Sequence, residues 1–272
     1  MKNDLFDLDR ALSKEVRLLD RLRAIERLAI AYSGGVDSSY LAHCAAEALG
    51  KDVLLLLADS PTQPRDEIEE AIERARAFGW PLRVVPTKEC RIPAFLANGP
   101  DRCYRCKRHL VERLRADAAD RRPKAFAFGE NADDDPADRP GTRALEEAGC
   151  IVPLRDVGLR KREIRELCRR RGLPVADKPS LACLATRFPE GMPIDLDVMK
   201  RIEEAEGFLK RRGYRQCRLR HHGDSCRIQL DPADFPKALR ERDRIVRELK
   251  ALSYRFVTLD LAGYPGEDPP NP

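Results

Sequence analysis

Ala29-Ile30-Ala31-Tyr32-Ser33-Gly34-Gly35-Val36-Asp37-Ser38-Ser39 is the stretch whose reading decides the fold of this chain. Apolar residues run into Ser33-Gly34-Gly35, and a helix-forming segment from Tyr40 to Leu49 follows, so the glycines stand where a strand turns into a helix. Glycine lets a backbone approach a ligand closely and take positive φ, and the first helical turn offers N–H groups that have no intrahelical partner. The stretch therefore reads as a phosphate cradle. No Gly-Lys-Ser/Thr follows the glycines, so it is not the common P-loop with its phosphate-binding lysine. An ordinary strand-to-helix turn capped by Ser33 or Asp37 is the competing reading.

Upstream, Leu5, Leu8, Leu12, Val16, Leu19 and Leu22 recur at three- and four-residue steps and predict an amphipathic helix over residues 5–26. Downstream, a continuous apolar run at 53–57 suits a buried parallel strand, a helix over 65–78 stops at Gly79, and further strands are expected at 82–85 and 125–128. This alternation predicts an α/β fold with a doubly wound, mostly parallel sheet spanning residues 1–190. Ligands of such sheets bind beyond the carboxyl ends of the strands. That rule nominates three loops: 33–39; Ala58-Asp59-Ser60-Pro61; and Gly129-Glu130-Asn131-Ala132-Asp133-Asp134. Asp and Asn there suit ribose or magnesium, although turns also favour them for local reasons.

Two other stretches carry cysteines in suggestive settings. Asp101-Arg102-Cys103-Tyr104-Arg105-Cys106-Lys107 opens a helix running to about residue 119, and thiols three apart on a helix share nearly one face, as a metal or redox pair would. Residues 173–191 form a long irregular loop of mixed composition with Cys183 at its centre, and Lys178 and Arg187 nearby favour a thiolate; a buried inert anchor is the alternative. A smaller α+β unit is expected over residues 191–272, with helix 195–212, strands 215–220 and 225–230, helix 233–249 and strand 255–261. His221 and His222 are adjacent and cannot both point inward from one strand. The tail from Pro265 to Pro272 reads as loose.

With 51 basic and 46 acidic residues, a net +5, the chain lacks the concentrated basic stripe of a nucleic-acid binder. The clusters Arg160-Lys161-Arg162 and Arg169-Arg170-Arg171 read as solvated helix faces. No apolar run reaches the roughly 18 residues of a membrane span, and the N-terminus has no signal-peptide shape, so a cytoplasmic location is expected. Nine cysteines without an export signal speak against a disulfide framework. Cys44, Cys150, Cys168, Cys217 and Cys226 fall in apolar periods or strands and read as small buried hydrophobes, while Cys90 has no informative context.

Ser33 to Ser39 resembles the PP-loop of the ATP pyrophosphatase superfamily, whose members adenylate a substrate and release pyrophosphate. Further matches narrow the resemblance to the LarE-type sulfurtransferases of nickel-pincer nucleotide cofactor synthesis: Asp101-Arg-Cys-Tyr104 with Cys106-Lys107, Asn131-Ala-Asp-Asp134, Arg139-Pro-Gly141, Lys178-Pro179, Ala182-Cys-Leu-Ala185 with Arg187, and Asp260-Leu261. The resemblance implies ATP and Mg2+ at Ser33, Gly34, Gly35, Val36, Asp37, Ser38, Ser39, Asp59, Ser60, Gly129 and Asn131. It implies Cys183 as the catalytic thiol, and a 4Fe-4S cluster on Cys103, Cys106 and Cys183 in one version of the chemistry; in another, Cys183 gives up its own sulfur. Arg218 and Arg220, two residues apart on a strand, with Glu206 and Arg187, are implied as the grip on the phosphate of a small nucleotide substrate. A homo-oligomer without membrane or nucleic-acid partners is expected. The sequence departs from the family pattern at Glu130, where a Thr is usual, at Arg105, where an aromatic is usual, and at Gly263-Tyr264-Pro265. A tRNA thiolase of the same superfamily is the rival enzyme, an amidotransferase-linked ligase without need of Cys183 a second, and a catalytically inactive nucleotide- or cluster-binding regulator the non-enzyme alternative.

Overall fold

The computed structural model describes residues 7–134, 140–180 and 182–264. Arg139, Leu181, Leu5 and the Pro265 to Pro272 tail lie outside them. Packing divides the chain into one unit of Met1–Glu89 and Asp101–Lys178 and a second of Cys90–Pro100 and Pro179–Pro272. The sequence reading put the boundary at residue 190, whereas residues 179–190 group with the second unit.

In the first unit, helix α1 (Leu8–Arg23) leads into β1 (Leu28–Ala31), α2 (Val36–Leu49) and β2 (Val53–Asp59). Then follow α3 (Arg65–Ala77), β3 (Leu82–Pro86) and, after the short α4 (Pro93–Leu96) of the other unit, α5 (Arg102–Asp117) and β4 (Ala125–Ala127). Helices α6 (Pro140–Glu147), α7 (Pro153–Asp156) and α8 (Lys161–Arg170) complete it. The four strands pair in parallel in the order β3-β2-β1-β4, with Leu28 opposite both Val53 and Ala125, and Ile151 adds a single parallel bridge to Ala127.

Both faces of this sheet are covered, which is why β2 is apolar without alternation. Leu28, Ile30, Val53, Leu55 and Leu57 pack with α1, α2 and α8, while Ala29, Leu54 and Leu56 pack with Leu114 of α5 and with Phe126. The chain builds outward from β1 to β3 and then returns to the other side of β1, so strand order reverses between β1 and β4. A crevice opens above the carboxyl ends at such a switch point, and it is where this topology receives ligands.

Helix α1 corrects the sequence reading in one respect. Val16, placed in its apolar stripe, is exposed, while Lys14 and Glu15 are buried. Their charges are met across the fold: Lys14 Nζ lies 2.6 Å from Glu163 on α8, and Glu15 accepts from Tyr40 Oη at 2.6 Å and Arg171 Nε at 2.7 Å. Buried charges persist only when paired in this way.

The second unit holds α9 (Leu196–Arg211), the hairpin strands β5 (Cys217–His222) and β6 (Ser225–Leu230), helices α10 (Phe235–Arg240) and α11 (Arg242–Ala251), and β7 (Phe256–Leu259), which runs parallel to β6. The single helix expected over 233–249 is thus two helices joined at Glu241. The excursion around α4 belongs here because buried Asn98 donates through Nδ2 to the carbonyls of Pro189 at 2.7 Å and Met192 at 2.8 Å.

Candidate functional site

The turn after β1 is built as its glycines require. Gly34 has φ +74°, and a Cβ there would lie 2.6 Å from Ala71 Cβ of α3. Arg74 of α3 donates to the Gly34 carbonyl at 3.0 Å and fixes the turn. Ser38 Oγ accepts from the Ser33 N–H at 3.2 Å and lies 3.0 Å from Ser33 Oγ, closing the loop on itself. Gly35 caps α2 in an extended conformation, leaving the first-turn N–H groups of a long helix directed at the crevice.

The loop after β4 meets this turn at backbone distance: a Cβ on Gly129 would stand 2.8 Å from the Ser38 nitrogen. Asn131 Nδ2 donates to Asp37 Oδ2 at 3.3 Å, and Lys161 Nζ, at the start of α8, donates to the same oxygen at 2.8 Å. Burial raises the Asp37 pKa, and Lys161 opposes that rise. Asp37 Oδ1 and Ser39 Oγ are both buried with no hydrogen-bond partner among the described residues. A buried carboxylate oxygen and hydroxyl left open beside a helix N-terminus fit a phosphate–metal ligand such as Mg2+-ATP.

Lys161 was missed by the sequence reading, which took its cluster for a solvated face. It comes to Asp37 from 124 positions away, and no local pattern signals that meeting. The neighbouring acids have structural employment: Asp134 accepts the Asn131 N–H at 2.9 Å and Asp133 accepts the Lys161 N–H at 2.7 Å. Glu130 faces Arg155 at 3.3 Å and Thr142 at 3.1 Å, so its carboxylate is compensated. At the end of β2, Asp59 pairs with Arg65, while Ser60 is buried, bonded to Glu89 and 2.7 Å from Thr62 Oγ1.

Helix α5, which carries Cys103 and Cys106 in its first turns, reaches the end of β4 within the same unit. Lys107, next to Cys106, sits 5.0 Å from the centre of the Phe128 ring, and Phe128 immediately precedes Gly129. Cys103 is exposed and Cys106 half-buried. By contrast, burial pushes the thiols of Cys44, Cys168, Cys217 and Cys226 up to about 12, which marks them as inert packing groups.

Cys183 belongs to the second unit, half-buried at the start of a short 3-10 turn, Leu184–Arg187. Arg187 is buried and bidentate to Glu206 of α9, both contacts at 2.9 Å. Its Nη1 donates to the carbonyls of Ala182 at 3.0 Å and Cys183 at 3.3 Å. Burial lowers the Arg187 pKa, but Glu206 outweighs it and leaves the pKa raised. Glu206 also accepts the Leu219 N–H at 2.8 Å. Arg187 and Glu206 thus hold the Cys183 loop on α9 and β5, a brace more than an open phosphate grip. Arg218 and Arg220 share one face of β5: Arg220 donates to Gln229 Oε1 at 2.9 Å and the Thr186 carbonyl at 2.5 Å, and Arg218 lies 4.7 Å from the Tyr264 ring centre. Among the described residues no three His, Cys, Asp or Glu side chains gather as a metal site. The accessible thiols at 103, 106 and 183 nonetheless have the donor chemistry of iron–sulfur ligation. No helix among the described residues is long and apolar enough to cross a membrane.

No protein-family model matches the chain. An uncharacterized protein of Synechocystis sp. is 36% identical over 242 residues, covering 88% of this chain and 90% of its own. The pyridinium-3,5-bisthiocarboxylic acid mononucleotide synthase of Lactiplantibacillus plantarum is 30% identical over 253 residues, covering 93% of this chain and 92% of its own. An uncharacterized protein of Methanocaldococcus jannaschii is 28% identical over 256 residues, covering 93% of this chain and 98% of its own.

Proposed function

This chain belongs to the LarE-type family of the pyridinium-3,5-bisthiocarboxylic acid mononucleotide synthase, and from that premise we propose that it is an ATP-dependent sulfurtransferase of nickel-pincer nucleotide cofactor synthesis. The observation that carries the reading is a relationship spanning nearly the whole of both chains. The orphaned Asp37 and Ser39 oxygens beside the α2 N-terminus support it from the physical side.

The substrate is a pyridinium dicarboxylate mononucleotide, and the reaction begins by making one carboxylate reactive. A carboxylate oxygen is a poor leaving group. The N-terminus of α2, Gly34 and Gly35 receive the ATP phosphates, and the substrate carboxylate attacks the α-phosphorus, expelling pyrophosphate; Asp37, through its open oxygen, would hold Mg2+, which would screen the phosphate charge. The acyl adenylate then loses AMP when sulfur attacks its carbonyl carbon, forming the C–S bond as the C–O bond breaks. Arg187 and Glu206 hold the Cys183 backbone for that step, and Arg218 and Arg220 take the substrate phosphate. Cys103, Cys106 and Cys183 would hold a 4Fe-4S cluster, which when bound supplies an extra sulfide as the sulfur donor.

Mixing the protein with ATP and the pyridinium-3,5-biscarboxylic acid mononucleotide should release pyrophosphate only when both are present, and Lys161→Met should slow that release about tenfold to a hundredfold by removing the cation that orders Asp37. Pyrophosphate release indifferent to the mononucleotide would overturn the reading. Intact mass after turnover should show Cys183 unaltered; loss of its sulfur would assign the donor to the cysteine itself.

A further inference from the structure

The face of β5 and β6 that carries Arg218 and Arg220 holds a third guanidinium. In the antiparallel register Arg218 stands opposite Gln229, and Arg220 stands directly opposite Arg227. Like charges in directly opposed positions destabilise a sheet, so an arrangement of this kind needs an anion to make it favourable. The protein supplies little of one. Arg218 and Arg220 have no carboxylate partner among the described residues: Arg220 spends its donors on Gln229 and the Thr186 carbonyl, both neutral, and Arg218 rests on the Tyr264 ring. Burial, then the charges of Arg218, Arg187 and Arg227, press the Arg220 pKa down, and Glu206, which is itself bidentate to Arg187, only partly opposes them.

One carboxylate does reach this face. Asp260, just past β7, lies 3.3 Å from Arg227 Nη1 and accepts from Gln229 Nε2 at 3.0 Å through the same oxygen, Oδ2. Gln229 is buried and bonded at both ends, its Oε1 to Arg220 and its Nε2 to Asp260, so the amide fixes the spacing between the arginines and the acid. The outcome is three guanidinium groups on one sheet face, of which only Arg227 is paired with a carboxylate, Asp260, on a platform ordered by a buried glutamine. A doubly charged oxyanion with several acceptor oxygens matches that excess, whereas a monoanion would leave it uncompensated.

We propose that Arg227 is a third phosphate-binding residue of this sheet face, acting with Arg218 and Arg220 on a phosphate monoester dianion, and that Asp260 is the resident counter-ion which Arg227 exchanges for that phosphate. This deepens, and rests on, the assignment of the face to the substrate phosphate. Arg227 reads the charge of the phosphate, and Asp260 sets how tightly it is held: a substrate lacking phosphate cannot compete with Asp260 for Arg227.

Calorimetric titration of the whole protein with inorganic phosphate tests it, with Arg218→Gln defining the share of binding due to this face. Arg227→Gln should weaken that share about tenfold, as loss of one charged hydrogen-bonding group does. Asp260→Asn should tighten it, since the competing carboxylate is gone while the amide preserves shape. Thermal melting of each variant confirms that it is folded, and Asp260→Asn, which removes no cation, carries the test alone should Arg227→Gln fail to fold. Binding unchanged in Arg227→Gln but weakened in Arg218→Gln would overturn the role of Arg227 and leave the phosphate reading standing. Binding unchanged in both would overturn the phosphate reading with it, and an Asp260→Asn variant that binds no more tightly than wild type would remove Asp260 as the counter-ion.

Discussion

Gly34 shows how one position carries a whole loop. Its left-handed φ and the 2.6 Å that a Cβ would leave to Ala71 exclude any side chain, so Gly34→Ala should cost roughly 2–4 kcal/mol in urea denaturation. A loss under 0.5 kcal/mol would show that the turn can relax, contrary to its pinning by Arg74. Glu206 is the second decisive residue. Its removal strands the buried Arg187 charge, and Glu206→Ala should cost roughly 3–5 kcal/mol. Replacing both partners with apolar side chains, Arg187→Met with Glu206→Leu, should recover much of that loss; a double variant no more stable than the single one would mean that stranded charge is not the cause. Gly34 was legible in the sequence because its glycine pair sits inside the whole stretch from Ser33 to Ser39 between an apolar strand and a helix, where the pair alone would have suited an ordinary turn equally well. Lys161 was not, because its meaning is an ion pair to Asp37 made only when α8 packs beside α2.

At the scale of elements, local rules account for most boundaries, and the exceptions are tertiary. Helix α9 starts where Asp195 accepts the N–H groups of Asp197 at 2.8 Å and Val198 at 3.1 Å. Those N–H groups, Val198 first, hold the Asp195 pKa below its ordinary 3.8. A depressed folded pKa stabilises above the unfolded value and loses that contribution as pH falls through the folded one. Asp195→Ala should therefore cost about 1 kcal/mol at pH 7, with the gap to wild type closing once the pH drops below 3.8. Denaturant melts at several pH values measure it, and a gap independent of pH would refute the cap. The break between α10 and α11 was not legible. Glu241 lies there with φ −92° and ψ 5°, its carboxylate drawn to Arg212 at 2.5 Å and to Tyr214 at 3.1 Å, partners brought by the turn after α9. Periodicity sees a continuous apolar stripe and cannot see that pull.

For the molecule as a whole, the test of the sulfur chemistry is compositional. Protein purified without oxygen should contain iron and acid-labile sulfide with broad visible absorption, and Cys103→Ala or Cys106→Ala should remove both; an unchanged spectrum in either variant would sink the cluster. The sequence alone determined that a parallel, doubly covered sheet presents Ser33 to Ser39 at a strand-to-helix turn, because the apolar run of β2 and the glycine pair are local consequences of burial and backbone freedom. It also separated the accessible thiols at 103 and 106 from the buried ones at 44, 168, 217 and 226, since apolar periodicity predicts burial and burial holds a thiol protonated, but it placed Cys150 among the buried ones, where the structure leaves it half-buried. Tertiary structure alone decided that Lys161 answers Asp37, that Arg187 and Glu206 brace the Cys183 loop, and that Arg227 stands opposite Arg220. Each of these is a meeting of charges on different elements, and electrostatic energy depends on distance in space, which separation along the chain does not encode.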